Sequence, residues 1–281
     1  MKERPWYQFY DPGVTLTPTY STVPLKEQFL QWVKKQPQKP FIYYLNEVLT
    51  YKQINELACK LANGMLGKGV KKGDRVAIVL PNIPEFIISV HACLKIGAIL
   101  VPMNPRYTKR ELTYQFIDSG SETIICLENS FALIREIMHE NRSIIKRIII
   151  VSDTCKSYDD ESLHDYRDFI KNSVDLEPQV QVLPDDLVLL MYTGGTTGLS
   201  KGCCITNMNL IAVASGWEQM CRYFTDMDYY KLLSSTPFYH IHGFQSAVNS
   251  NILIGIVKFS AVFKLVILGS MGYAPKLWLG Y

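Results

Sequence analysis

Between Thr193 and Lys201 the chain places three threonines, three glycines and one lysine within nine residues. Gly194, Gly195 and Gly198 open backbone conformations closed to other residues and let the main chain approach a ligand closely. Thr193, Thr196 and Thr197 add hydroxyls, and Lys201 adds a mobile positive charge. Backbone N–H groups, hydroxyls and one ammonium are what a polyphosphate needs. The segment is not a Walker A loop, because Ser200 stands where glycine would precede the lysine, and it is not GxGxxG. A second reading is a flexible surface turn with an incidental lysine. A further candidate is Thr236-Pro-Phe-Tyr-His-Ile-His-Gly243. Pro and Gly punctuate a loop at a strand end, where open parallel sheets bind ligands. Two aromatics and His240 there can wall an acyl pocket. Two readings stand for His240, a functional group or a satisfied core histidine, and His242 reads as structural.

The elements that must hold these loops are legible in the pattern. Apolar positions after Pro24 and from Ile54 to Leu66 repeat at helical spacing. FIYYL and VLTY, around Asn46-Glu47, predict a small hairpin. Buried strands are expected at 75–80, in AILVPM, ETIICL and RIIIVS, and at 187–192, with helices near 85–96, 109–118 and 130–140 between them. Alternation of strands and helices with near-continuous apolar strands predicts a parallel sheet covered on both faces. The segment 152–183 reads as a surface loop with one short helix near 162–171. CCIT reads as a short strand, 207–222 as a helix, and Gly73-Asp74 and Asn104-Pro105 as turns.

Composition excludes several classes. With 48% hydrophobic and 20% charged residues in 281, the chain can bury a sizeable core and is not disordered throughout. A net charge of +3 without a dense basic stripe argues against a nucleic-acid partner. Seven cysteines form no CxxC pair, so no zinc site is expected; they read as reduced core residues of an intracellular, cytoplasmic protein. The polar, aromatic N-terminus lacks the apolar core of a signal peptide, and Trp6, Tyr7, Phe9 and Tyr10 read as a docked strap. No acidic residue follows Asp228, and 245–275 carries only Lys258 and Lys264 as charges. Three readings stand for this end: buried strands with a helix, a membrane span, or a tail foreign to the rest of the fold.

Tyr192-Thr-Gly-Gly-Thr-Thr-Gly-Leu-Ser-Lys201-Gly202 resembles the phosphate-binding signature of the adenylate-forming superfamily, which includes acyl-CoA synthetases, luciferases and peptide-synthetase adenylation domains. Pro-Phe-Tyr-His-x-x-Gly resembles that family's next signature, and LTYKQINELACKLANGMLGKGVKKGDRVAIVLPNIPEF and GAILVPMNPRYTKREL resemble its N-terminal domain. The NPRYT stretch looks closest to long-chain fatty-acid-CoA ligases. The resemblance covers roughly residues 5–255.

It implies an α/β fold of parallel sheets flanked by helices, here the incomplete N-terminal domain of the adenylate-forming fold. It implies ATP, Mg²⁺ and coenzyme A as cofactors and a fatty acid as substrate. The loop residues Thr193, Gly194, Gly195, Thr196, Thr197, Gly198 and Lys201 would hold the β- and γ-phosphates, with the Thr193 hydroxyl toward Mg²⁺ and His240 beside the carboxylate. The family's later adenine-binding, metal-binding and C-terminal elements have no counterpart, so the expectation is a truncated ligase, inactive as this chain alone: a partial AMP-binding domain over 1–255, a divergent apolar tail over 256–281 and no C-terminal catalytic domain. A non-catalytic nucleotide- or acyl-binding fragment is the alternative, and weak peripheral membrane contact through the tail is a third.

Overall fold

A computed structural model describes residues 4–10, 20–194, 199–224, 231–249, 252 and 257–260. Helix α1 (Leu25–Lys35) begins directly after Pro24 and leads into strands β1 (Pro40–Tyr44) and β2 (Glu47–Thr50). Their hairpin turns at Leu45-Asn46, one residue earlier than the sequence predicts, with Leu45 at φ 50° and Tyr44 opposite Glu47. Helix α2 (Tyr51–Gly67) starts in a reciprocal cap: the Thr50 hydroxyl accepts from the Gln53 N–H, and the Gln53 side chain accepts from the Thr50 N–H.

Then comes the predicted alternation: β3 (Arg75–Val79), α3 (Pro84–Ile96), β4 (Ile99–Pro102), α4 (Lys109–Ser119), β5 (Thr123–Leu127), α5 (Glu128–Glu140) and β6 (Arg147–Val151). Gly97 and Gly120, at φ 65° and 62°, end α3 and α4 in the left-handed conformation that other residues adopt only under strain.

The short helix expected over 162–171 is a strand followed by a helix. Residues Leu163–Asp165 form β7, beside β6, and only Tyr166–Lys171 are helical (α6). Asp165 divides them, its Oδ1 accepting from the N–H groups of Arg167 and Asp168 at 3.0 and 3.1 Å. Strand β8 (Leu187–Tyr192), β9 (Gly202–Thr206) and α7 (Asn207–Phe224) follow. Strand β10 (Lys231–Ser234) precedes a turn, Ile241–Gly243, that runs into a π-helical segment, Phe244–Asn249.

The main sheet has the order β7-β6-β5-β3-β4-β8-β9 and is parallel except for the last strand, β9, which is antiparallel to β8. Alternate strand residues feed two cores. Val76, Ile78, Leu100, Ile125 and Ile149 face α2 and α3, while Ala77, Val79, Val101, Ile124 and Ile148 face α4 and α5. Each large apolar side chain buried this way contributes roughly 1.5–3 kcal/mol. That double coverage is why these strands read as unbroken apolar runs. A second sheet, β10-β11-β1-β2, includes β11 (Val257–Ser260), parallel to both β10 and β1. The tail expected from residue 256 therefore starts with a strand paired on both sides. Residues 261–281 lie outside the described residues.

The cysteines divide. Cys59, Cys93 and Cys126 are buried, as expected, but Cys155, Cys203 and Cys204 are exposed. The last two sit on β9, an edge strand with little packed over it. The N-terminal aromatics are not docked: Pro5–Phe9 form a 3-10 turn without a buried residue, and Phe9 is 80% exposed. No helix among the described residues is long and apolar enough to cross a membrane.

Candidate nucleotide site

Strands β3, β4 and β8 run parallel and adjacent, so their C-terminal ends share one edge of the sheet. The loop 193–201 leaves that edge from β8 and returns as β9, with Tyr192 opposite Gly202. Its neck is closed by the Thr193 N–H donating to the Lys201 carbonyl at 3.1 Å. Thr193, Gly194 and Lys201 are exposed at this neck, and Ser200 is half-buried. The Lys201 ammonium makes no ion pair with a carboxylate among the described residues. Gly195, Thr196, Thr197 and Gly198, the middle of the predicted phosphate loop, lie outside the described residues.

One face of α4 supports the neck. The Tyr114 hydroxyl donates to the Ser200 carbonyl at 2.9 Å, and Gln115 Nε2 donates to Ser200 Oγ at 3.3 Å. The Tyr192 hydroxyl donates to Asp118 Oδ2 at 2.5 Å. Burial, then the Asp118 carboxylate beside it, push the Tyr192 hydroxyl well above its ordinary pKa, so it stays protonated and donates at any physiological pH. A cavity of about 500 Å³ lies between α4 and the loop, lined by Tyr107, Arg110, Tyr114, Gly194, Leu199 and Ser200 among others.

The second motif meets the same edge through a residue that the sequence reading missed. Asn82, just beyond β3, donates from Nδ2 to the Thr236 carbonyl at 2.9 Å and accepts at Oδ1 from the Phe238 N–H at 2.8 Å. An amide side chain offers a donor and an acceptor side by side on one planar group. Its signal was its position: a polar residue after Pro81, at the end of a buried strand.

Phe238 is buried against Phe86, with ring centroids 5.5 Å apart, so it belongs to the core and is not a pocket wall as expected. Gly243 is required by close approach, since a Cβ there would lie 2.1 Å from the Pro237 carbonyl oxygen. These constraints turn His240 outward. It is exposed, which overturns the core-histidine reading, and its Nδ1 accepts from the His242 N–H at 3.4 Å. β4 separates β3, which leads to Asn82, from β8, which leads to the loop, so these two strand ends lie roughly 10 Å apart across the sheet. The cavity beside the loop does not include His240.

A larger cavity of about 980 Å³ lies at the opposite, β7 edge, between the end of α2, the 156–161 segment and α6. It contains none of the residues predicted to act, and one of its acids, Asp165, already caps α6.

Residues 29–257 match the family described as AMP-binding enzyme. The long-chain-fatty-acid–CoA ligase of Bacillus subtilis is 30% identical over 285 residues, covering 90% of this chain and 49% of that protein. The long-chain-fatty-acid–CoA ligase FadD13 of Mycobacterium tuberculosis is 31% identical over 78% of this chain and 42% of its own. Among solved structures, the inhibitor-bound N-terminal domain of FACL13 from Mycobacterium tuberculosis superposes with a TM-score of 0.73 at 27% identity, covering 85% of this chain and 57% of that one. The long-chain-fatty-acid-CoA ligase FadD1 from Archaeoglobus fulgidus gives 0.75 at 24% identity, covering 86% and 48%. The chain spans about half the length of the curated relatives it matches, or less.

Proposed function

This chain belongs to the AMP-binding enzyme family, and from that premise we propose that it activates a fatty-acid carboxylate with ATP for transfer to coenzyme A. A carboxylate oxygen attacks the α-phosphorus. The bond to the bridging oxygen breaks, and pyrophosphate leaves with the electron pair. The coenzyme A thiol then attacks the acyl carbon, AMP departs with its oxygen, and the thiol proton passes to solvent.

The observation that carries this reading is the neck of the loop 193–201, which brings Thr193, Ser200 and Lys201, without an ion pair among the described residues, to the C-terminal edge of the parallel strands. The Lys201 ammonium opposes the charge that gathers on the departing pyrophosphate. Thr193 supplies a hydroxyl beside it, and Gly194, Gly195, Thr196, Thr197 and Gly198 supply backbone and hydroxyl donors. Donors preset around developing charge need no rearrangement during reaction, and losing one typically costs about 10²–10³ in rate. His240 projects from a turn fixed by Asn82 and Gly243, and the likeness to the family supports a role for it beside the carboxylate.

The residues fit Mg²⁺ only as an ion that arrives with its nucleotide. No group of three His, Cys, Asp or Glu side chains among the described residues can hold a metal alone, and Thr193 offers one hard oxygen. Bound there, Mg²⁺ would neutralise phosphate charge.

The test is exchange of labelled pyrophosphate into ATP in the presence of palmitate. Exchange by this chain supports the ligase reading and overturns the expectation that the chain is inactive alone. ATP binding without exchange moves the assignment to a nucleotide-binding fragment.

A further inference from the structure

We infer that Tyr114 and Asp118 of α4 are positioning residues, which set the spacing of the two ends of the phosphate loop and thereby its readiness to hold an anion. The inference rests on the proposed reading of that loop.

The two residues stand one helical turn apart on one face, about 6 Å along the axis. Each reaches a different foot of the loop. Tyr114 holds the outgoing foot through the Ser200 carbonyl, and Asp118 holds the incoming foot through the Tyr192 hydroxyl. Between them, the Thr193-to-Lys201 hydrogen bond closes the neck. One rigid helix therefore sees both ends.

Tyr192 packs against the core beside Leu112 and Phe116 of α4, while a cavity of about 500 Å³ opens beside Gly194, Leu199 and Ser200. On that open side the hydrogen bonds from α4 hold the loop. Ordering a loop's backbone costs conformational entropy, and a neck held in advance removes part of that cost from ligand binding.

The ties are specific in chemistry. Tyr114→Phe keeps the ring and deletes only a donor. Asp118→Asn keeps an acceptor for Tyr192, whereas Asp118→Ala removes it.

The experiment measures amide exchange at Thr193 and Lys201 without ligand, together with affinity for magnesium pyrophosphate. Tyr114→Phe and Asp118→Ala should each speed exchange and weaken affinity by about three- to tenfold, the effect of one ordinary hydrogen bond. Asp118→Asn should restore both toward wild type, and thermal midpoints should stay within about 2 °C of it, as for other surface changes. Unchanged exchange and affinity in both variants overturn the inference. So does a loss shared equally by Asp118→Asn and Asp118→Ala, which would mean that charge matters and the tie does not. If the wild type binds no pyrophosphate, the phosphate reading of the loop falls, and ligand-free exchange still decides whether α4 holds the neck.

Discussion

Glu85 shows two local effects opposed at one residue. It sits in the first turn of α3, where the helix dipole favours a carboxylate. Burial nevertheless raises its pKa, and the nearby Glu47 carboxylate adds to the rise, against its own backbone hydrogen bond. A carboxyl whose pKa rises on folding stabilises the fold fully below its unfolded value, near 4.3, and loses that contribution as pH climbs through the folded value. Glu85→Gln should therefore raise the thermal midpoint at pH 8 and leave it unchanged at pH 4. A gain that persists at pH 4 would show that charge is not the cause. Residues with this kind of double pull were not legible in the sequence, because Glu47 and Glu85 meet only when β2 lies beside α3. His240 was legible as a candidate, and its exposure was not, because Asn82 fixes the turn before it through Phe238, 156 positions away in the chain.

At the scale of elements, the strands that the sequence revealed are the ones buried on both faces. RVAIV, TIICL and RIIIV have no polar side because helices cover both. β7 escaped notice because Leu-His-Asp at a sheet edge carries no such run. The exposed cysteines of β9 follow from the same edge effect. The α4 ties were invisible for another reason, since Tyr114 and Ser200 are neighbours only through the sheet order. The turn 236–243 was marked by its Pro and Gly, and its tightness gives a sharp expectation. Gly243→Ala would drive a methyl into the Pro237 carbonyl, where backbone must move. The cost should be about 1–3 kcal/mol in chemical denaturation, with increased exchange at the Phe238 amide. A silent Gly243→Ala would mean that the turn opens without strain.

For the whole molecule, the path from α6 to β8 decides where the loop stands. It crosses back over the helices and is held by side chains. Asn63 donates to the Val174 and Leu176 carbonyls, Lys26 to the Val180 carbonyl and Lys72 to the Gln181 carbonyl. At its centre, Lys95 of α3 is 2% exposed and bonds Glu177 at 2.5 Å and Asn55 at 2.8 Å. Removing one partner of a fully buried pair costs roughly 3–5 kcal/mol. Glu177 keeps 27% exposure, so water can screen it when it is left alone. Lys95→Ala should therefore cost about 2 kcal/mol in urea unfolding. A change under about 0.5 kcal/mol would place this pair with ordinary surface ion pairs.

The proposed reading turns on one exposed lysine, Lys201, at the neck of the loop 193–201. The most direct measurement is a calorimetric titration of the chain and of Lys201→Ala with MgATP, paired with thermal unfolding of both. The account predicts saturable binding by the wild type, at least tenfold weaker binding by Lys201→Ala from loss of a charge-assisted contact, and thermal midpoints within about 2 °C of each other. Equal affinities, or a collapsed midpoint in the variant with unchanged affinity, would contradict it.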